Sequence, residues 1–479
     1  MVSRVGKKIE INPVSRIEGH GKVTIQLDEA GNVSRARFNV TQFRGFEKFC
    51  EGRVFWEMPV ITPRICGICP VSHHLASAKA CDAILGVQIP PVAKKLRELM
   101  HMGQYIQSHA LHFFYLASPD LLLGFDTEPA KRNVIGLIAE MPDIAKKGAM
   151  LRSFGQAIIQ KLGGKKVHPN GAIPGGVNKA LSVNDKDELL KQMNWVIEDF
   201  QVGLKLIKDY YSKHAEEVNT FANFASGYMG LVDKDGNLEL YDGVLRLRDR
   251  KGIILEDGVA SADYLSIIEE RVEDWSYLKF PYYRKLGYPG GVYRVGPLGR
   301  LNVVDGIPTP IAGAELNAFR KLARNGIMEG SMYYHYARLL EAVYAAEKAK
   351  SLLEDDDICS TDLQVTSTKF NEQGVGVIEA PRGTLIHHYW VDGTGKIIKV
   401  NLIVSTGHNN LGMNRAVYEV AKQYIKNGEV REGILNRVEA AIRCYDPCLS
   451  CSTHAFLGQM PIMLQLISAD GKVVAEILR

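Results

Sequence analysis

Arg64-Ile65-Cys66-Gly67-Ile68-Cys69-Pro70-Val71-Ser72-His73-His74 is answered near the other end of the chain by Asp446-Pro447-Cys448-Leu449-Ser450-Cys451-Ser452-Thr453-His454. Each stretch carries a Cys-x-x-Cys pair, which aims two thiolates at one ion. Two such pairs supply the four soft ligands that suit zinc, iron–sulfur or nickel. A thioredoxin-like reading of Cys66 and Cys69 needs a small βαβ unit and no distant second pair. A structural zinc ribbon separates its pairs by about 15 to 20 residues, whereas 379 positions lie between Cys69 and Cys448 in the count from one to the other. A ligand set drawn from both ends of the chain predicts a buried metal around which one large domain closes.

The rest of the composition narrows the class. Of 479 residues, 58 are Lys or Arg and 54 Asp or Glu, a net charge of +4 that offers no polycationic surface for nucleic acid or anionic membrane. The apolar share of 46% is that of an ordinary globular protein. No run of about 18 apolar residues occurs, and no apolar segment follows the basic start, so no membrane insertion is expected. Eight cysteines are too few for a disulfide scaffold in a chain of this length, which predicts a reducing, cytoplasmic setting.

Periodicity predicts an α+β fold, mainly α: a central bundle of long helices with peripheral β-hairpins near both termini. Strands are expected at Lys8 to Ile11, Val23 to Leu27 and Ala36 to Val40. Apolar residues three or four apart predict a helix from Val92 to about Leu116 and another around Met332 to Ala346. The stretch from about Lys186 to Thr220 reads as a single helix roughly 50 Å long at 1.5 Å per residue. Strands return at His388 to Val391 and Ile397 to Val404, a short helix is expected from about Asn414 to Tyr424, and Pro461 to Arg479 reads as a hairpin turning at Ala469 to Lys472.

Five motifs, in order, give the chain its resemblance to a known family: Arg16-Ile17-Glu18-Gly19-His20, Arg44-Gly45-Phe46-Glu47, Arg64 to His73, Glu379-Ala380-Pro381-Arg382-Gly383 and Asp446 to His454. They resemble the large, catalytic subunit of nickel-iron hydrogenases. The intervening sequence, such as Trp275 to Tyr283 and Arg294-Val295-Gly296-Pro297-Leu298, is most similar to the cytoplasmic bidirectional branch that exchanges electrons with NAD. The resemblance implies that Cys66, Cys69, Cys448 and Cys451 bind nickel, that Cys69 and Cys451 also bridge to iron, and that the iron carries carbon monoxide and cyanide. It implies catalytic roles for Glu18 as proton carrier, Cys448 as terminal thiolate, Arg382 as the charge over the open metal position and Asp446 as its neighbour. Glu47 and His454 resemble ligands of magnesium or a similar divalent ion. His73 is expected to hydrogen-bond a bridging sulfur, while Pro381 stiffens the Arg382 segment and Ser405 and Thr406 fall where cyanide is hydrogen-bonded. Ser108 stands before His109 where many members carry aspartate.

The same resemblance implies one catalytic nickel-iron domain at residues 1–454 and a C-terminal extension, 455–479, removed by a nickel-dependent protease between His454 and Ala455. The remaining cysteines, Cys50, Cys81, Cys359 and Cys444, lack ferredoxin spacing. Iron–sulfur clusters are therefore expected on a small partner subunit. No G-x-G-x-x-G occurs in a strand–turn–helix setting, which places flavin and NAD on further NAD-reducing (diaphorase) subunits; a maturation protease and metal-insertion proteins complete the implied partners. The expected function is reversible oxidation of hydrogen to protons and electrons. The alternatives are a non-catalytic structural or quinone-site subunit of a respiratory complex, which would lack the cysteine pairs, and a zinc-stabilised interaction protein.

Overall fold

The computed structural model describes residues 8–323, 326–455, 463–467 and 473–478. Proline at the first helical position, where its missing N–H and fixed φ cost nothing, starts three of the helices that build the core: α1 (Pro70–Leu85), α2 (Pro91–Leu111) and α3 (Pro142–Gly163). Two more, α4 (Met193–Lys213) and α5 (Tyr333–Leu353), complete the central bundle, with α2 packed on α3 and α5 packed on both α2 and α4. α5 is buried over nearly its whole circumference, as befits a helix in the middle of a large domain.

The sequence expectation of a bundle with flanking hairpins agrees with this architecture, but two local readings do not. Residues 186 to 220 are three helices, Val183–Leu190, α4 and Ala215–Thr220. The first break is a tightened turn in which Gln192 N–H reaches back only three residues to Leu189 O. The second is His214, at φ −124° and ψ 34°, whose ring stacks on Tyr210. Apolar spacing survives both breaks, which is why periodicity runs through them. The middle of the chain also contains strands that helical spacing concealed: Gly227–Val232, Val244–Arg248, Ile254–Val259 and Tyr293–Arg294 form a four-stranded sheet, and Ile268–Val272 pairs with Lys279–Tyr283.

The N-terminal strands Lys8–Ile11, Gly21–Leu27 and Val33–Val40 form an antiparallel sheet in which the middle strand alternates buried and half-buried residues. Near the other terminus, Met463–Ile467 pairs antiparallel with Val473–Leu478, matching the expected hairpin, while its turn at Ala469 to Lys472 lies outside the described residues.

A second antiparallel sheet does most to place the site. Its strands are β1 (Gln373–Ala380), β2 (Gly383–Val391) and β3 (Ile397–Ile403). β1 lies directly against α1: a Cβ on Gly376 would come within 2.0 Å of Ala76 O and one on Gly374 within 2.2 Å of Ala80 O. Only glycine permits that approach. The pairing of Ala380 with Gly383 leaves Pro381 and Arg382 as the tip of the β1–β2 hairpin. Among the described residues, no helix is long and apolar enough to cross a membrane.

Candidate metal centre

Cys69 is the N-cap of α1, directly before the Pro70 that starts the helix, so its position is set by the helix start. The loop before it is fixed from outside. Gln104 and Gln107, one turn apart on α2, both donate to Ile68 O, at 2.9 and 2.8 Å, and Arg44 Nη1 donates to Ile65 O. Ile68 N–H points at Cys66 Sγ, 3.2 Å away. The second pair arrives on the segment after the helix Glu432–Arg443 and is stitched to the N-terminal region and to the segment after β3. Leu449 N–H donates to Glu18 O, Arg44 and Gly45 N–H both donate to Thr453 O, Glu47 N–H donates to His454 O, and Cys448 N–H donates to Thr406 Oγ1.

The outcome is a single cluster of sulfur. Cys448 Sγ lies 3.2 Å from Cys66 Sγ and 3.0 Å from Cys451 Sγ; Cys69 and Cys451 are 3.5 Å apart. All four ligand atoms fall within 4.8 Å of one another, and all four residues are buried. Four buried sulfurs gathered at such spacing are a donor set that suits a soft cation. The remaining cysteines lie outside this group. Burial pushes the Cys50 and Cys444 thiols up to about 12, and neither belongs to the four-sulfur cluster.

Around the sulfurs, the residues singled out from the sequence occupy distinct positions. Arg382 projects from the hairpin tip to Asp446: its Nε donates to Asp446 O at 2.6 Å and Nη2 to Asp446 Oδ1 at 3.1 Å. Burial opposes the guanidinium charge, but Asp446 and the neighbouring sulfurs of Cys448, Cys69 and Cys66 outweigh it, so Arg382 stays charged. Its Nη1 and Asp446 Oδ2 have no hydrogen-bond partner among the described residues. Asp446 holds φ at +53°, a strained value for a non-glycine residue, directly before Pro447 and Cys448. Ser108 is buried with its hydroxyl unpartnered among the described residues, so the carboxylate contacting Arg382 is that of Asp446.

Glu18 runs beside Cys448 in a short parallel bridge, and its carboxylate accepts from both the backbone N–H and the hydroxyl of Ser450. His73 Nε2 stands 3.3 Å from Cys451 Sγ, with burial holding the ring pKa down to about 4. Ser405 directs its hydroxyl to Gly383 O, 2.6 Å away, leaving its backbone N–H, at the start of the short helix Ser405–His408, as its remaining donor. Together with Cys69, Cys448, Cys451, Ser72, Ala380, Leu385 and Val404, the residues His73, Arg382, Ser405 and Thr406 enclose a small cavity against the sulfurs.

Glu47 and His454 do meet. His454 Nε2 is 3.7 Å from Glu47 Oε1, which also accepts from Leu402 N–H at 2.8 Å. Sequence reading did not anticipate their neighbours: Lys279 Nζ lies 3.5 Å from Glu47 and 3.3 Å from Glu270. Nor did it find the buried network under the hairpin tip. Arg300 donates bidentately to Glu341 and through Nη1 to Glu379 Oε2, each at 2.6–2.7 Å, and also to the carbonyls of Ala380 and Pro381. Arg300, Glu341 and Glu379 are fully buried. Glu379 opens the Glu379-to-Gly383 motif, but Arg300 and Glu341 sit on helices with no local signature.

Residues 44–127 and 216–454 match the family described as nickel-dependent hydrogenase, and residues 8–43 match a family described as HoxL-like. The chain is 45% identical to the NAD-reducing hydrogenase HoxS subunit beta of Cupriavidus necator, over 98% of this chain and 99% of that one. It is 48% identical to a polypeptide of the vhu F420-non-reducing hydrogenase of Methanocaldococcus jannaschii, over 88% and 100% respectively. Among solved structures, an NAD+-reducing [NiFe]-hydrogenase in the H2-reduced state superimposes with a TM-score of 0.92 at 46% identity, over 94% of this chain and 100% of its own.

Proposed function

The chain belongs to the nickel-dependent hydrogenases as a large, catalytic subunit, and from that premise we propose that it splits hydrogen reversibly into protons and electrons that pass through an iron–sulfur partner towards NAD. The observation that carries this reading is the meeting of four sulfurs from opposite ends of the chain within 4.8 Å. Cys66, Cys69, Cys448 and Cys451 would hold nickel, with Cys69 and Cys451 shared with an iron bearing carbon monoxide and cyanide. When bound, such a centre polarises hydrogen and takes up its electrons.

The protein's own groups do the rest. Cys448 Sγ receives the proton as a terminal thiolate, and Glu18, aligned with Cys448 and anchored on Ser450, passes it outward. Arg382, braced by Asp446, keeps a fixed positive charge at the rim of the cavity, with Nη1, unpartnered among the described residues, available to donate into it. His73, at 3.3 Å, steadies the sulfur of Cys451. Ala380, Leu385 and Val404 give the cavity an apolar wall that excludes water. Glu18→Gln, which keeps the shape of the side chain but cannot cycle a proton, should retain nickel and slow hydrogen–deuterium exchange by about 10²–10⁴-fold, the span of general acid–base catalysis. Unchanged exchange would remove Glu18 from the route.

Glu47 and His454 would hold magnesium or a similar divalent ion. Among the described residues His454 Nε2 and Glu270 Oε1 have no hydrogen-bond partner, and with the Glu47 carboxylate, 3.7 Å from His454, they suit a hydrated cation. The 1–454 segment is read as the mature domain and 455–479 as an extension cleaved after His454. Two findings support this. The family match ends at residue 454, and the solved relative, covered over its full length, overlaps 94% of this chain where the curated relative from Cupriavidus necator overlaps 98%. The mass of active enzyme is expected to correspond to a chain ending at His454; an intact Arg479 terminus would refute the cleavage. Cytoplasmic location, flavin- and NAD-binding partner subunits and dedicated maturation proteins complete the reading.

A further inference from the structure

Ser72 has an unusual position. It is the third residue of α1, fully buried, and its hydroxyl has no hydrogen-bond partner among the described residues. Serines at this point of a helix ordinarily turn the hydroxyl towards a nearby backbone group. Here Ser72 lines the cavity enclosed by Cys69, Cys451, Arg382, Ser405 and Thr406. An unsatisfied hydroxyl in a dry interior is destabilising, so its retention there calls for a partner that the described residues do not supply.

The protein donors around the cavity divide unequally. The Ser405 hydroxyl is committed to Gly383 O, whereas Thr406 Oγ1 accepts from Cys448 N–H and keeps its own O–H to donate. Arg382 Nη1 and Ser72 Oγ are the two side-chain donor atoms of the cavity lining without a partner among the described residues. Arg382 enters from the hairpin tip, whereas Ser72 enters from α1, so the two come from separate elements. The apolar residues Ala380, Leu385 and Val404 line the same cavity and provide no donor side chain. A cavity with unattached donors and an apolar stretch suits small diatomic groups of which some accept hydrogen bonds strongly and one does not.

We propose that the Ser72 hydroxyl donates a hydrogen bond to the nitrogen of a cyanide on the iron, as a binding residue additional to Arg382, Ser405 and Thr406. The proposal rests on the nickel-iron reading above. A hydrogen bond to cyanide nitrogen withdraws electron density from the iron. Removing it returns that density, strengthens back-donation into carbon monoxide and lowers the carbon monoxide stretching frequency.

Infrared spectra of the purified complex carrying Ser72→Thr and Ser72→Val test this, because the two variants have the same shape and differ by the hydroxyl. Ser72→Thr is expected to keep the wild-type bands. Ser72→Val is expected to displace one cyanide band and move the carbon monoxide band to lower wavenumber. If Ser72→Val fails to load the centre, Ser72→Ala removes the hydroxyl without added volume and should show the same displacement. Bands of the hydroxyl-free variant coincident with wild type would overturn the proposal. Absence of any such bands from the wild-type complex would instead overturn the nickel-iron reading itself, so the two failures are distinguishable.

Discussion

Cys448→Ser is expected to abolish hydrogen uptake and to empty the nickel site while leaving the fold and the association with partner subunits intact. The exchange changes one buried atom, at a position packed within 3.0–3.2 Å of Cys451 and Cys66, and serine fills almost the same space. What it removes is a soft, polarisable donor that also serves as the first proton acceptor. A hydroxyl is a harder ligand and deprotonates far less readily. Loss of a group that merely supports a metal ligand commonly costs about 10- to 100-fold; loss of the ligand itself should exceed about 100-fold and carry nickel content down with it. Nickel content and hydrogen uptake both unchanged in the serine variant would contradict the placement of Cys448 at the centre.

Arg300→Met is expected to produce the largest loss of stability. Among the described residues, Arg300 is the sole guanidinium shared by Glu341 and Glu379, and all three are sealed from solvent. Burial drives both carboxyls towards the neutral form, and Arg300 is the chief opposing charge; at Glu341 it prevails, with help from His109 at 3.2 Å. Removing it strands two buried carboxyls and withdraws the donors to Ala380 O and Pro381 O that fix the tip from which Arg382 projects. Breaking a buried pair costs about 3–5 kcal/mol, measurable as a fall in the urea midpoint at unchanged slope. Activity should fall in the folded fraction as well, since Arg382 loses its mounting. A shift below about 1 kcal/mol, under the usual cost of a broken buried pair, would mean that the network does not brace the fold.

How much of this was legible in the sequence depends on the range of the interaction. The two cysteine pairs could be read because each places its sulfurs three residues apart, and their separation along the chain argued for closure around a metal. The long helices around Leu99 and Val343 could be read because one face repeats at helical spacing. That same spacing misled at residues 191–192 and 214, where a tightened turn and a stacked histidine interrupt the hydrogen-bond ladder without disturbing the apolar stripe. Strands such as Gly227–Val232 went unread because they are buried on both sides and so show no alternation. The meeting of Arg300 with Glu341 and Glu379, of Lys279 with Glu47, and of Ser72 with the cavity is decided by tertiary packing between segments tens to hundreds of residues apart. No local pattern announces it.

The central claim is that sulfur ligands from both termini of the chain hold one nickel-iron centre. Elemental analysis together with infrared spectroscopy of the purified wild-type complex tests it most directly. The expected result is nickel and iron bound to this polypeptide, with absorption bands of iron-bound carbon monoxide and cyanide. Zinc in place of nickel and iron, with no such bands, would contradict the account and return the four cysteines to a structural role.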